Sequence, residues 1–414
     1  MIEPGLPTRQ SVAFGASVRE WRSVVPEGRW RMATETAAEE YLAAARGLAP
    51  RIRELAPVID AEARLPADLV EEMRRAGLFH LVIRREIGGV GLDPVSAARV
   101  VEEVSAADGS TGWCVMIAAQ TGFFAGLLAR DEARLVYGDG GIVAGVANPI
   151  GRAIPAGAPE EGYVVTGRWP FASGSSHATW FAGECTVYDG DAPLRDAKGN
   201  EVLRLAFVPS EHVTVHQTWN TLGLRGTASN DFSIDGVFVP AARAVSMEEP
   251  PPPLSRAMPL AFVNHGSQAL GIARGAIESA AAIAAKKRGW GGVPLSETSR
   301  VQAAIGEAAV LVDAAAEHLY AVSGRLWEQA LAGETDARLR AQVRLATSNA
   351  AQASVRAVDL LHSVVGTAGI FVENPMERQF RDVHTAAKHV MIGHMTYEAA
   401  GRVLLGKDAA FPYF

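Results

Sequence analysis

The chain has 414 residues, 48% hydrophobic and 21% charged, a balance that suits a soluble globular protein of two or three domains with a large core. Its net charge of −7, with no block of Lys or Arg, argues against a nucleic-acid or anionic-membrane partner. No apolar run reaches the roughly 18 residues of a membrane span and no apolar segment near the N-terminus marks a secretory signal, so a cytoplasmic protein is expected, with Cys114 and Cys185 as buried reduced thiols.

Residues 1–35 mix Pro, Gly and Arg without periodicity and read as a disordered extension, Met32 being a plausible alternative start. From 36 to 140 the pattern is helical, with Leu69, Val70, Met73 and Leu78 at three- and four-residue steps. Pro66 opens one helix, Asp93-Pro94 another, and Asp108-Gly-Ser-Thr-Gly-Trp113 a third. Between 141 and 247 β-branched runs punctuated by Gly, Asp and Pro predict an antiparallel β domain. A Pro-rich linker follows at 248–256. Residues 257–414 return to long Ala-rich amphipathic stretches, the last from Glu377 to Leu405, which suit a four-helix bundle and burial in an oligomer. The fold class is therefore α+β: helical domain, β domain, helical bundle.

Two stretches carry candidate chemistry. Trp169-Pro-Phe-Ala-Ser-Gly-Ser-Ser-His177 follows a strand, and its hydroxyls beside Trp169, Phe171 and Trp180 suit a flat heterocycle. Arg381-Asp-Val-His-Thr-Ala-Ala-Lys-His389 lies on the last helical stretch, and an imidazole such as His389 can titrate near neutrality. A third stretch, Trp219 to Asp231, offers Arg225, Thr227 and Ser229 as donors to phosphate or ring oxygens, or is an ordinary polar loop between strands. His384, His389 and His394 step by five, about 140° on a helix, so no two neighbours share a face and no metal site is expected.

Taken together, Leu65-Pro-Ala-Asp-Leu-Val, Gly88-Gly-Val-Gly, Asp108-Gly-Ser-Thr-Gly-Trp, the Trp169–His177 stretch, Leu222-Gly-Leu-Arg-Gly-Thr and Arg378-Gln-Phe-Arg-Asp382 make residues 37–406 resemble the acyl-CoA dehydrogenase superfamily. Within it the chain is most similar to the oxygenase components of two-component flavin monooxygenases. That resemblance implies reduced FMN or reduced FAD from a separate flavin reductase, dioxygen as co-substrate, a small aromatic or heteroatom substrate oxidised through a flavin hydroperoxide, and a homotetramer. It implies catalytic roles for His389, as base or hydrogen-bond partner, and for Ser173, as donor to the flavin N5 and O4 edge. Phe171, Ala172, Ser173, Arg225 and Thr227 would contact cofactor and Trp113 would line the ring pocket. Arg288 would reach a flavin phosphate across a subunit boundary. Thr121 stands where some relatives carry histidine.

The alternatives are an acyl-CoA dehydrogenase using FAD, with Glu398 or another carboxylate as base, and a non-catalytic scaffold. Against the dehydrogenase stands Val390, nine residues beyond Arg381, where most such enzymes place a proton-abstracting Glu.

Overall fold

Leu42, Ala45, Ala49, Ile52, Ala56 and Ile59 step by three and four residues, and all six are buried along one face of the first helix, α1 (Glu35–Glu62). Its internal prolines, Pro50 and Pro57, lie on the exposed face, where water can meet the carbonyls they release. The computed structural model describes residues 35–157, 161–247, 253–289, 291–411 and 414. The expected N-terminal extension, most of the Pro-rich linker and Trp290 lie outside the described residues. Thr36 to Phe414 forms one compact unit.

Four more helices complete the N-terminal layer: α2 (Ala67–Arg75), α3 (Pro94–Ala107), α4 (Gly109–Gly122) and α5 (Arg130–Tyr137). Asp93 caps α3 by accepting from the amides of Val95 and Ser96, and Asp108 caps α4 by accepting from Thr111. α4 is buried on nearly every side, which fixes Trp113 in the interior.

The middle region is one eight-stranded sheet. Its strands are β1 (Val143–Pro155), β2 (Gly162–Ala172), β3 (Trp180–Asp189), β4 (Ala192–Pro193), β5 (Leu203–Pro209), β6 (Thr214–His216), β7 (Asn230–Pro240) and β8 (Ala244–Val245). The order is β6-β7-β2-β1-β3-β5-β8, with β4 on β3. The expected antiparallel pairing holds except between β1 and β3, which run parallel because β2 leaves β1 on its other side before the chain returns. Trp169 pairs with Phe232 and Ala172 with Asn230, so β2 carries one extra residue there. This bulge places Phe171 at φ 65° and turns the end of β2 toward α4.

The C-terminal layer comprises α6 (Val263–Lys286), α7 (Ser299–Leu331), α8 (Ala337–Val365), α9 (Pro375–Ala386) and α10 (His394–Leu404). The single helix expected from Glu377 to Leu405 is broken. α9 ends at Ala386, a 3-10 turn covers Val390–Ile392, and Gly393 precedes α10. His389 is therefore the cap of that turn and not a helix-surface residue. Cys114 and Cys185 are both buried and free. No helix among the described residues is long and apolar enough to cross a membrane.

Candidate active site

The floor of the site is the loop 222–229, held from below by α9. Arg381 donates to both carboxylate oxygens of Glu377 (2.5 and 2.9 Å), to both of Asp60 (3.1 and 2.9 Å), and to the Leu222 carbonyl (2.7 Å). Asp382 accepts from the Leu224 amide at 2.6 Å. Burial, and then the neighbouring Asp108 carboxylate, hold Asp382 above the usual carboxylate range. A Cβ at Gly223 would sit 2.3 Å from the Arg381 carbonyl oxygen, so only glycine lets the loop lie this close to α9. Leu224 (φ 51°) and Ala228 (φ 44°) hold left-handed backbone on either side of Arg225–Thr227. With Phe171, three strained non-glycine residues thus surround one spot, and strain of this kind persists only where packing enforces it.

At that spot a chain of hydroxyls runs in one direction. Thr227 Oγ1 donates to the Leu224 carbonyl at 2.8 Å. With its one hydrogen spent, Thr227 accepts from Ser229 (2.7 Å), Ser229 accepts from Ser173 (2.7 Å), and Ser173 accepts from the Trp113 indole N–H (3.0 Å). Each hydroxyl has a single hydrogen, so the polarity is fixed from Leu224 back to Trp113. With the chain intact, Ser173 is left with one lone pair to offer a ligand. Ser175 Oγ donates to the Ala228 carbonyl at 2.6 Å and Ser110 Oγ accepts from the Gly226 amide at 3.2 Å, tying β2, the loop and α4 together.

Above Trp113 sit two imidazoles. His389 and His265 have ring centroids 4.2 Å apart at 38°, and each meets the Trp113 ring edge-on at 5.8 Å. His389 Nδ1 accepts from the Met391 amide at 3.3 Å, so in the neutral ring Nε2 carries the hydrogen. His265 Nδ1 faces the Phe262 carbonyl at 3.2 Å and donates to it, which leaves Nε2 as a bare acceptor. That nitrogen is buried and has no hydrogen-bond partner among the described residues. Burial, and then the charge of Arg344, push His389 down to about 4; burial and His389 push His265 well below the ordinary range. The pair is neutral at pH 7. It presents one N–H donor and one lone pair side by side. His265 escaped sequence reasoning because Asn264-His-Gly266 on an apolar helix carries no motif.

The remaining expected residues divide. Ala172 is buried beside Ser173, and Phe171 is 68% exposed with its ring edge-on to Trp219 at 6.3 Å, open to a flat ligand. The aromatic wall is smaller than expected. Trp169 is fully buried in the sheet core, stacked on Phe232 at 5.0 Å, and Trp180 packs against Arg243. Arg225 directs Nε to the Asp60 carbonyl at 3.0 Å and Nη1 to the Thr221 carbonyl at 3.5 Å, two of its five N–H donors. Arg288 lies beyond the far end of α6, about 35 Å along the axis from His265, so within one chain it does not join this cluster. Thr121 turns its hydroxyl to the carbonyls of Ile117, Ala118 and Val143. Glu398 is exposed on α10.

The family model described as "Acyl-CoA dehydrogenase, N-terminal domain" matches residues 34–131, and "Acyl-CoA dehydrogenase, C-terminal domain" matches 263–394. An indole-3-acetate monooxygenase of Acinetobacter baumannii is 27% identical over 392 residues, covering 92% of this chain and 98% of that protein. The oxygenase component of an FADH2-dependent resorcinol hydroxylase from Rhizobium sp. is 26% identical, covering 86% of this chain and 91% of that protein. Among solved structures, XiaF from Streptomyces sp. in complex with FADH2 and glycerol superposes with a TM-score of 0.82 at 25% identity, over 92% of this chain and 98% of that one. With both terminal domains matched and its relatives aligned almost end to end, the chain belongs to the acyl-CoA dehydrogenase superfamily, on the branch of the flavin-dependent monooxygenase oxygenase components.

Proposed function

We propose that this protein is the oxygenase component of a two-component flavin monooxygenase that inserts oxygen into an aromatic substrate. The observation that carries the reading is the one-way hydrogen-bond chain from Trp113 through Ser173 to Thr227, set beneath the neutral His265–His389 pair. A flavin fits the residues present. The lone pair left on Ser173 matches an N–H donor, which the ring's N5 position offers only when reduced. The strained backbone at Phe171, Leu224 and Ala228 brings main chain close to one flat face, and Phe171 is open to stack on it.

When bound, reduced flavin supplies the electrons that activate dioxygen, one oxygen atom going to substrate and the other to water. The protein's own residues hold, orient and keep water away. Trp113 fixes the Ser173 hydroxyl so that it needs no reorientation on binding. His265 Nε2 accepts a hydrogen bond from a substrate hydroxyl or ring N–H, and His389 Nε2–H donates to the same region, which orients the substrate. The fully buried Ala172, next to Ser173, helps to exclude water from the floor. Two of the relatives name FADH2 as their flavin, which favours reduced FAD over reduced FMN. A flavin reductase would supply it, and Arg288 would serve the flavin of a neighbouring copy in a homotetramer.

The test is an anaerobic titration of the protein with reduced FAD and reduced FMN, followed by mixing with oxygen and a set of aromatic substrates. The expected outcome is saturable binding that favours reduced over oxidised flavin, and oxygen consumption matched by product with at least one substrate. No flavin binding, or peroxide equal to the oxygen consumed with every substrate, overturns the reading.

A further inference from the structure

Arg344, in the second turn of α8, is fully buried, and none of its three guanidinium nitrogens has a hydrogen-bond partner among the described residues. The guanidinium lies over the ring of Phe262 at 5.0 Å and near that of Phe411 at 5.5 Å. Three other buried or half-buried arginines have carboxylate partners, whereas Arg340, one turn earlier on α8, also has an unpartnered Nε and reaches the Phe414 carbonyl. Arg378 faces Asp108, Arg381 holds Asp60 and Glu377, and Arg274 holds Glu102 and Glu103. Burial lowers Arg344 to about 10, so it stays charged at neutral pH. A buried charge that keeps five N–H donors and no acceptor is an incomplete arrangement, costly to the fold unless an anion completes it.

Its position relates it to the site. Phe262, the ring beneath the guanidinium, packs on His265 at 6.2 Å, and His265 meets His389. One aromatic ring therefore separates the orphan cation from the imidazole pair, and the charge of Arg344 is felt at both imidazoles. Unpaired acceptors on Asn264 and Gln268 lie on the same helix as His265.

Resting on the monooxygenase reading, we infer that Arg344 is a substrate-anchoring residue that binds the carboxylate of an aromatic acid, whose ring then lies between the imidazole pair and Ser173. The flat fork of a guanidinium suits a carboxylate held through two parallel hydrogen bonds, and the Phe262 and Phe411 faces fix the plane of the fork. A lysine would keep the charge and lose the fork.

The experiment uses full-length protein with reduced flavin bound, without oxygen. Benzoate, phenylacetate and indole-3-acetate are titrated against toluene, ethylbenzene and 3-methylindole, in wild type, Arg344→Met and Arg344→Lys. Wild type is expected to bind at least one acid more tightly than its neutral counterpart by roughly ten- to a hundredfold. Arg344→Met loses that preference while still binding reduced flavin, and Arg344→Lys retains part of it. Arg344→Met is also expected to melt no lower than wild type without ligand, since it removes an uncompensated buried charge. Equal binding of acids and neutral counterparts by wild type, or an acid preference unchanged in Arg344→Met, overturns the inference. So does a sharp loss of melting temperature in the unliganded Met variant, which would mean that the chain's own terminal carboxylate or another internal anion already satisfies Arg344. Failure to bind reduced flavin in wild type overturns the monooxygenase reading instead.

Discussion

His265 and His389 meet with ring centroids 4.2 Å apart, and their Nε2 atoms are opposite in kind. His389 carries a hydrogen on Nε2 because its Nδ1 accepts from Met391, whereas His265 bares Nε2 because its Nδ1 serves the Phe262 carbonyl. Both are neutral chiefly because burial disfavours the charged ring; the charge of Arg344 adds to this at each, and at His265 so does His389. His389 is in ring contact with the neutral His265, and the charge that opposes its protonation is that of Arg344, second to burial.

This has a measurable pH consequence. In the unfolded chain His389 takes up a proton near its ordinary value of 6.5; in the folded protein it does so only near 4. Its contribution to stability is intact above pH 6.5 and is lost as pH falls through that window, by on the order of 2 kcal/mol. Glu184 works in the opposite sense. Burial raises it to about 7, so its contribution is intact below the usual carboxylate range and declines as pH rises toward 7. The difference between wild type and His389→Gln isolates the imidazole. The variant is expected to lose less stability than wild type between pH 6.5 and 4.5 in urea melts. Parallel curves for the two proteins would show that His389 titrates normally.

Ser173→Ala breaks the hydroxyl chain at its centre. The Trp113 indole N–H loses its acceptor and Ser229 its donor, at a cost of about 1–2 kcal/mol. The sharper readout is redox preference. Wild type is expected to bind reduced flavin more tightly than oxidised flavin, and the variant to lose most of that difference. It is also expected to release a larger share of its oxygen as peroxide. A variant with an unchanged ratio of the two affinities would remove Ser173 from the flavin edge.

Glu398 tests the competing dehydrogenase chemistry. It is exposed on α10, and Val390, at the position where a dehydrogenase would carry its base, is 56% exposed and apolar. Glu398→Gln is expected to leave flavin binding and oxygen consumption within about twofold of wild type, as for a surface change away from any buried contact. Bleaching of bound FAD by an acyl-CoA ester, lost in this variant, would restore the dehydrogenase assignment.

Sequence carried much of this architecture because its signals were local. The three-and-four steps from Leu42 to Ile59 need no partner to be read, nor do Asp93-Pro94 and the Asp108 cap. β3 is harder to see. Trp180–Asp189 is covered on both faces for most of its length, so its residues do not alternate and the strand lacks a period of two. The break before His389 is equally silent, since no Gly or Pro precedes it and only Gly393 follows. Trp113, Ser173 and His389 were identified from the superfamily's motifs, but the polarity of their hydrogen bonds depends on Leu224, Ser229 and Met391, which come together only in the fold. Arg344 reads in sequence as an ordinary charged position on an amphipathic helix, and its lack of a partner is a property of three dimensions.

Arg381 illustrates the same limit, and its role is testable. From sequence it pairs naturally with His389 as part of the chemistry; in the fold its donors are spent on Glu377, Asp60 and Leu222. It acts by position, holding the loop that carries Leu224 and Thr227 against α9 and α1. Arg381→Met leaves Glu377 without its countercharge and Asp60 with only Arg225 at 3.9 Å, an expected loss of about 3 kcal/mol. Asp60→Asn removes one arm only, and is expected to cost about 1–2 kcal/mol and keep the protein folded. The Asn variant should bind reduced flavin several-fold more weakly while the pH dependence conferred by His389 stays as in wild type. If Asp60→Asn instead shifted that pH dependence and left flavin affinity alone, Arg381 would have to be electrostatically coupled to the imidazoles, and the loop-anchoring role would fall.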